Sequence, residues 1–208
     1  LMPGQDGYTD VGGDVLAYDP AKAKQILTDA GWTNADGVWT KDGETLEVSV
    51  IVPQGSSSNE LRAQQIQASL ADIDIKVTID ESPAADYFQN ISDGKYELAT
   101  FGWQGTAFNI SSSESLFSPE QEPGDDLGQN YAFVSDPQLA DLWAEANVEL
   151  DPAARLKIVE KINAVIADYV PMLTLYAYAN VYAVDGDLAN YGPATFESVD
   201  WTAVGYLK

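Results

Sequence analysis

The sequence contains no cysteine and no histidine among its 208 residues. Without cysteine, thiol catalysis, disulfide bonds and cysteine-based zinc sites are excluded. Without histidine, the Ser-His-Asp and Cys-His catalytic arrangements and the usual zinc sites are excluded as well. We therefore expect no cofactor and no metal site, and an enzyme of this sequence would have to use carboxylates, lysine or tyrosine.

Basic residues are also scarce. Ten Lys and Arg stand against 33 Asp and Glu, which gives a formal net charge of -23. Such a surface repels nucleic acid and anionic membranes, so we expect no nucleic-acid partner. The acidity is better explained by solubility than by an acidic docking face.

Long apolar runs are missing, since no stretch reaches the length of a membrane span. The chain starts at Leu1 in a loop-like segment without a signal peptide, and we interpret it as a piece of a longer protein. With 45% hydrophobic residues it is predicted to form a single domain with a sizeable core. We divide it into a lead-in (1–17), a core (18–184) and a tail (185–208).

Helix signals are strong. Asp19 before Pro20 predicts a helix start and Gly31 a left-handed stop, with an apolar face made of Ala23, Ile26, Leu27 and Ala30. The same Asp-Pro signal at positions 136 and 151 precedes two further amphipathic helices. After the first helix, Asp42-Gly43 predicts a β-hairpin.

The segment from residue 46 to residue 101 alternates between the two periodicities. We predict a strand over 46–52, a helix over 59–72 with Leu61, Ile66 and Leu70 inward, a strand over 75–79, a helix from 82 to 94 and a strand over 96–101. This order favours right-handed crossovers and a mostly parallel sheet flanked by helices, an α/β fold. A further long strand is predicted over 172–184.

The stretch from Tyr96 to Asn109 organises the rest. A buried strand stops at Gly102, and Trp103 follows with small polar residues beside it. Ligands bind at this end of strands in open α/β sheets. The alternative, that Trp103 only plugs the end of the core, is about equally well supported by this stretch alone.

Four segments carry a family resemblance, in this order along the chain: Tyr18-Asp19-Pro20 to Ala30-Gly31-Trp32; Ala63-Gln64-Gln65-Ile66-Gln67 with Leu70 and Ile75-Lys76-Val77; Gly94-Lys95-Tyr96-Glu97 to Gly102-Trp103; and Asp151 with Arg155, Ile166 and Val170-Pro171-Met172. The sequence resembles the extracytoplasmic solute-binding proteins of ABC importers, of the oligopeptide/dipeptide type. The likeness covers roughly residues 15 to 185.

This resemblance implies a periplasmic-binding-protein-like (type II) fold, of which the chain is the carboxy-terminal lobe. Such proteins close two lobes on a ligand about a hinge, so the amino-terminal lobe and the opposing half of the cleft lie on residues not present here. It further implies a small-molecule or peptide ligand, ABC permease subunits as partners and an extracytoplasmic, lipid-anchored protein.

Two positions depart from the peptide-binding pattern. An Asp that pairs with the peptide amino group in such members corresponds to Thr106, and an Arg that meets a ligand carboxylate in some corresponds to Thr100. A buried ammonium without a carboxylate is disfavoured. We therefore expect neutral ligands, such as sugars or blocked peptides. The predicted ligand-binding residues are Trp103, Gln104, Thr106, Phe108, Asn109 and, on a neighbouring loop, Gln54.

Two alternatives keep other functions open. A family member without a ligand could regulate or scaffold cell-envelope biosynthesis, with Thr100 and Thr106 marking a lost site. A glycosidase with two carboxylates is ranked lowest, since no acidic residue lies in a recognisable pocket motif. Three tyrosines of the last strand, Tyr176, Tyr178 and Tyr182, are expected to pack in the core or against the other lobe rather than on a ligand.

Overall fold

The computed structural model describes residues 5, 7–10, 13, 16–117, 129–178, 181–192 and 198–207, to which all structural statements here refer. The segment 118–128, whose Pro, Asp, Glu and Gly predict a surface loop, lies outside these residues.

Five α-helices and one 3₁₀ helix are formed in the described part of the chain. They are α1 (Pro20–Asp29), α2 (Ser57–Ala71), α3 (Tyr87–Ser92), the 3₁₀ helix (Ser111–Leu116), α4 (Pro137–Val148) and α5 (Pro152–Tyr169). The strands are β1 (Thr33–Ala35), β2 (Val38–Lys41), β3 (Glu44–Thr45), β4 (Glu47–Pro53), β5 (Lys76–Ser82), β6 (Leu98–Ala99), β7 (Leu188–Ala189) and β8 (Gly205–Tyr206).

A parallel sheet of order β5-β4-β6 forms the centre. The predicted strand after residue 46 is the middle one, with Val50 opposite Ile79 on one side and Leu98 on the other. The chain passes from β4 to β5 on one side and then returns to β6 on the other. The carboxyl ends of β4 and β6 therefore flank a topological switch point, where a crevice opens in α/β sheets.

Helices cover both faces of this sheet because β4 is apolar on both. Val50 and Val52 pack with Ala63 of α2, while Ile51, between them in sequence, packs with Tyr87 and with Ile91 of α3. Successive side chains of a strand point to opposite faces, so the apolar run of β4 requires two covering layers.

The amino-terminal elements form a satellite core beside this sheet. Asp19 caps α1 by accepting the backbone N–H of Lys22 at 2.9 Å, and Gly31 ends the helix region with φ +90°. Asp42 and Gly43 join β2 to β3 with φ values of 53° and 88°, as the predicted Asp-Gly hairpin requires.

The helices α4 and α5 pack on each other in a second apolar cluster. It is built from Val134, Leu139, Trp143, Ala146, Ile158 and Ile162. Asp136 and Asp151 accept backbone N–H groups at the two helix starts, at 2.7 and 2.8 Å, so the predicted caps are confirmed.

Several predicted boundaries are wrong. The strand expected over 96–101 is shorter in the structure, where β6 comprises only residues 98 and 99, because only these residues pair with β4. The third helix begins at Tyr87 instead of residue 82, since β5 continues through Ser82. The strand expected over 172–184 is not formed in its described residues, which have no neighbouring strand to pair with.

Three residues of the predicted apolar faces lie outside the core, among them Ala30, which is exposed at the end of α1. Ile26 is 57% exposed and Leu61 is 65% exposed. Each is offset by about 100–200° around the helix from the residues that pack inward, Leu27 on α1 and Ala63 on α2. The buried faces are therefore narrower than the apolar pattern suggests.

Candidate functional site

The strand register brings two predicted ligand-binding residues to the same edge of the sheet. Ile51 pairs with Ala99, so Gln54 and Trp103 follow these partners by three and four residues at the carboxyl ends of β4 and β6. The backbone N–H of Gln54 donates to the carbonyl of Ser82 at 2.7 Å, which extends the ladder between β4 and β5. The Gln54 side chain is exposed.

Trp103 lies in a cluster of aromatic rings. It stacks on Tyr131, with ring centroids 5.7 Å apart and planes inclined by 16°. Phe101 meets Trp103 edge to face at 5.2 Å and Phe88 at 5.6 Å. The indole is half-buried, and its shielded Nε1 finds no acceptor among the described residues. Among the described residues, ring contacts rather than an indole hydrogen bond therefore position this side chain.

Tyr131 is held in place by its own loop. The preceding Asn130 is fully buried, donates to the carbonyl of Val134 at 2.8 Å and accepts the Val134 N–H at 3.1 Å. The hydroxyl of Tyr96 donates to the Tyr131 carbonyl. Sequence reasoning missed both Asn130 and Tyr131, because the irregular segment around them has no periodicity.

The polar residues after Trp103 form a tight turn. Thr106 Oγ1 donates to Ser112 Oγ at 2.9 Å and accepts the backbone N–H of Phe108 at 3.1 Å. The Asn109 carbonyl accepts from Ser113 Oγ at 2.6 Å. Gln104 and Thr106 are exposed, whereas Asn109 is half-buried.

A cleft of about 390 Å³ lies beside this turn. Its lining combines the turn with α4 and α5: Ala107, Phe108, Asn109, Ile110, Ser111, Ala146, Asn147 and Arg155. Phe108 is 76% exposed. Of the predicted site residues, Phe108 and Asn109 line this cleft, whereas Trp103, Gln104, Thr106 and Gln54 do not.

Thr100 connects the edge of β6 to α2. Its side chain is buried, and its Oγ1 donates to Asn59 Oδ1 at 3.3 Å. Its carbonyl accepts from the hydroxyl of Tyr87 at 3.0 Å. Burial is the main reason why the pKa of Tyr87 lies above its ordinary value.

Arg62 of α2 joins the same edge to the segment after α5. Its guanidinium donates to the hydroxyl of Tyr176 from Nε at 3.0 Å and from Nη2 at 2.7 Å. It also donates to the hydroxyl of Tyr178 and to Asn59 Oδ1. The guanidinium carbon lies 5.5 Å from the ring centroid of Tyr176 and 5.8 Å from that of Tyr178, within the range of cation–π attraction.

The two tyrosines of this group are 52% and 66% exposed, so Tyr176 and Tyr178 do not lie in a core formed by the described residues. The other half of the expectation, that they pack against the other lobe, stays a prediction. Their hydroxyls are 3.0 Å apart. The hydrogen bond with Tyr178, and next the one from Arg62, hold the pKa of Tyr176 below its ordinary value. Tyr182 is 48% exposed and contacts the ring of Tyr191 instead.

In the described part of the chain, no group of three or more acidic side chains is arranged to hold a metal ion. None of the described helices is long and apolar enough to cross a membrane.

Comparison with known structures identifies the class of fold. The oligopeptide-binding protein AppA of Bacillus subtilis, solved with a nonapeptide, superposes with a TM-score of 0.76 at 22% identity, over 100% of this chain and 41% of that chain. An oligopeptide ABC transporter binding protein of Thermotoga maritima, solved with mannohexaose, gives 0.70 at 23% identity over 79% and 32%. The fold is that of type II periplasmic binding proteins, as predicted.

Sequence comparison places the chain in a family. The oligopeptide-binding protein OppA of Mycobacterium tuberculosis is 29% identical over 209 residues, which is 100% of this chain and 34% of OppA. Residues 1–124 match the family model described as bacterial extracellular solute-binding proteins, family 5, middle region. The chain belongs to this family, and it spans about a third of the length of the curated relatives it matches.

Proposed function

We propose that this chain forms one half of the ligand-binding cleft of a longer solute-binding protein that serves an ABC importer. The observation that carries the proposal is the Trp103–Tyr131 stack at the switch point between β4 and β6. A rigid pair of aromatic rings at this edge offers a flat apolar surface, with the exposed amide of Gln104 beside it.

The remaining lobe would complete the cleft and cover apolar side chains that are exposed here. Several of these follow α5 and are between 44% and 86% exposed: Val170, Leu173, Leu175, Val181 and Val184. Single exposed apolar residues are common, but such a run points to a covering partner. We assign the chain as the carboxy-terminal lobe and the missing amino-terminal lobe as that partner.

The ligand class follows from the chemistry around Trp103. No acidic residue lies between Trp103 and Glu114, so this stretch offers no carboxylate to a ligand ammonium group. Thr106 Oγ1 already donates to Ser112, which leaves it an acceptor for a ligand. A peptide-like ligand with a blocked amino end or a sugar fits this set, and the relatives' structures include both a nonapeptide and mannohexaose.

Phe108 and Asn109 would contact the same ligand from the adjoining cleft, and Gln54 from the loop after β4. The relatives are named as binding proteins, and we propose that this chain likewise binds without catalysis. ABC permease subunits and a lipid anchor on the complete protein belong to the same proposal. No observation favours the alternative of a cell-envelope regulator.

Calorimetric titration of the intact protein, made from its complete reading frame, tests this function. The probes are a nonapeptide, its N-acetylated form and mannohexaose. We expect at least one of these to bind, and Trp103→Ala to weaken it about tenfold through the lost stacking surface. The control is Trp201→Ala, since Trp201 is 69% exposed and its ring contact is with Tyr191 in the tail. Equal affinity in wild type and Trp103→Ala would remove Trp103 from the site.

A further inference from the structure

The guanidinium of Arg62 differs from the ion-paired lysines of this acidic chain. Lys24, Lys76 and Lys95 each pair with a carboxylate at 2.7 to 3.1 Å. Arg62 contacts no carboxylate among the described residues, although the chain carries 33 acidic residues. Its partners are neutral oxygens of Asn59 and of two tyrosines. Within the part of the chain that the structure describes, the charge of Arg62 therefore has no ion-pair partner.

The hydrogen bonds of this group leave donors unused. A guanidinium has five N–H donors, of which the contacts to Tyr176, Tyr178 and Asn59 engage four. Because Arg62 donates to both tyrosine oxygens, the two hydroxyl groups can donate their own hydrogens only to other acceptors. One donates to the other hydroxyl at 3.0 Å. One guanidinium N–H and one tyrosine O–H remain without a partner among the described residues, and both can donate to a further acceptor.

The position of this group connects it to the proposed ligand site. Arg62 lies in the second turn of α2, the helix that follows the carboxyl end of β4. Asn59, which accepts from Arg62, also accepts from Thr100 beyond β6 at 3.3 Å. A Cβ placed on Gly102 would lie 3.7 Å from Cε2 of Tyr178, so the tyrosine ring packs against the residue before Trp103.

We propose that Arg62, with the hydroxyls of Tyr176 and Tyr178, forms a subsite for a carboxylate group of the ligand. This inference rests on the proposed function and refines its ligand class. A carboxylate accepts hydrogen bonds only, and the remaining guanidinium N–H and tyrosine O–H match it, on a cation that has no carboxylate partner among the described residues. Together with the missing acid near Trp103, the subsite selects ligands that carry a carboxylate but no ammonium group to be paired.

Two sources supply such a carboxylate, the free carboxyl end of a blocked peptide and the uronic acid of a saccharide. The experiment uses matched pairs of probes on the intact protein. One pair is an N-acetylated tripeptide of alanine as the acid and as the amide. The other is a glucuronate-containing disaccharide and its neutral glucose counterpart. Affinities are measured by calorimetric titration for wild type, Arg62→Gln, Arg62→Lys and Trp103→Ala.

We expect the acid of one pair to bind at least about tenfold more tightly than its neutral partner, as a charge-assisted hydrogen bond implies. The pair that shows the preference identifies the source. Arg62→Gln should remove the preference and Arg62→Lys should retain part of it, whereas Trp103→Ala should weaken acid and neutral probe alike. Circular dichroism and the thermal midpoint verify that each variant is folded.

Three results would count against the inference in distinguishable ways. Equal binding of acid and neutral probes to wild type overturns the subsite but leaves the binding function standing. A preference that survives Arg62→Gln shows that Arg62 only tethers the tyrosine segment. If none of these probes binds, and neither the nonapeptides nor mannohexaose bind either, the proposed function fails together with the subsite.

Discussion

Asn130 shows at the scale of a single residue how a buried polar group positions the aromatic site. Its side chain is fully buried, and its amide nitrogen and oxygen each form a hydrogen bond with the backbone of Val134. The next residue in the chain is Tyr131, which stacks on Trp103. Buried amides with satisfied hydrogen bonds fix a loop, whereas an unsatisfied backbone group is costly.

Asn130→Ala is therefore expected to lower the free energy of unfolding by about 2–3 kcal/mol, because two backbone groups of Val134 lose their partner. Ligand affinity should fall as well, since Tyr131 loses its anchor. Urea denaturation measures the first effect and titration the second. Asn147→Ala is the matched control for the denaturation alone, because Asn147 is exposed and donates to Glu114 at 2.8 Å but also lines the cleft. Similar losses in both variants would contradict the role of Asn130.

Glu97 provides a residue-scale prediction for pH. Its carboxylate accepts from the hydroxyl of Ser49 at 2.7 Å and from the Ser49 N–H at 2.6 Å, which joins β4 to the segment before β6. These hydrogen bonds hold the pKa of Glu97 below its ordinary value of 4.5. A lowered pKa means that the stabilisation is complete above the ordinary value and is lost as the pH falls through the lowered one.

We therefore expect the stability difference between wild type and Glu97→Gln to shrink when urea denaturation is moved from neutral pH to about pH 3. The comparison of two proteins removes the general effect of acid on this highly charged chain. Glu81→Gln is the control, since Glu81 is exposed on β5 and its side chain has no hydrogen bond to the described residues. A difference that grows on acidification would contradict the sign of the shift.

At the scale of elements, the contact of α2 with the central sheet leaves little space. Ala63 is fully buried between α2 and the Val50, Val52 and Val77 side chains of β4 and β5. A larger side chain there must displace the strands, and overpacking of this kind typically costs about 1–3 kcal/mol.

Ala63→Leu should accordingly destabilise the protein by about 1–3 kcal/mol, whereas Ala68→Leu, on the exposed side of the same helix, should change stability little. Thermal or urea unfolding distinguishes the two variants. Equal effects of the two leucines would show that α2 does not pack on the sheet through Ala63.

The secondary-structure elements also show which features could be predicted from the sequence alone. The Asp caps of α1, α4 and α5 and the Asp42-Gly43 hairpin are local signals, and all of them are confirmed. The prediction of a strand over 172–184 was wrong, because a strand needs a neighbouring strand to pair with. The alternation of Leu and Tyr does not show whether such a neighbour exists. The contacts of Tyr131 and Arg62 were missed for the same reason. Their partners, Trp103 for Tyr131 and Tyr176 for Arg62, lie far away in sequence.

At the scale of the whole molecule, the net charge of -23 opposes compaction. The three ion pairs found in the described residues are partly exposed to solvent and offset little of this repulsion. Salt screens repulsion between surface charges over a Debye length of about 10 Å at 0.1 M ionic strength.

The thermal midpoint is therefore expected to rise when sodium chloride is increased from about 10 mM to about 500 mM. Differential scanning fluorimetry at neutral pH measures it. A second series with an uncharged osmolyte such as sucrose separates charge screening from general stabilisation. Screening by salt should raise the thermal midpoint mostly at low salt concentrations, whereas sucrose should show no such concentration dependence. A midpoint that falls with salt would mean that attractive charge pairs dominate.

The central claim, that this chain contributes Trp103 and its aromatic support to a ligand-binding cleft, is tested most directly by native mass spectrometry of the intact protein from its natural source. We expect a mass well above the 22.4 kDa of this chain, with a small molecule that the wild type retains and the Trp103→Ala variant does not. An intact protein of about the mass of this chain, or a longer one that is empty under gentle conditions, would contradict it.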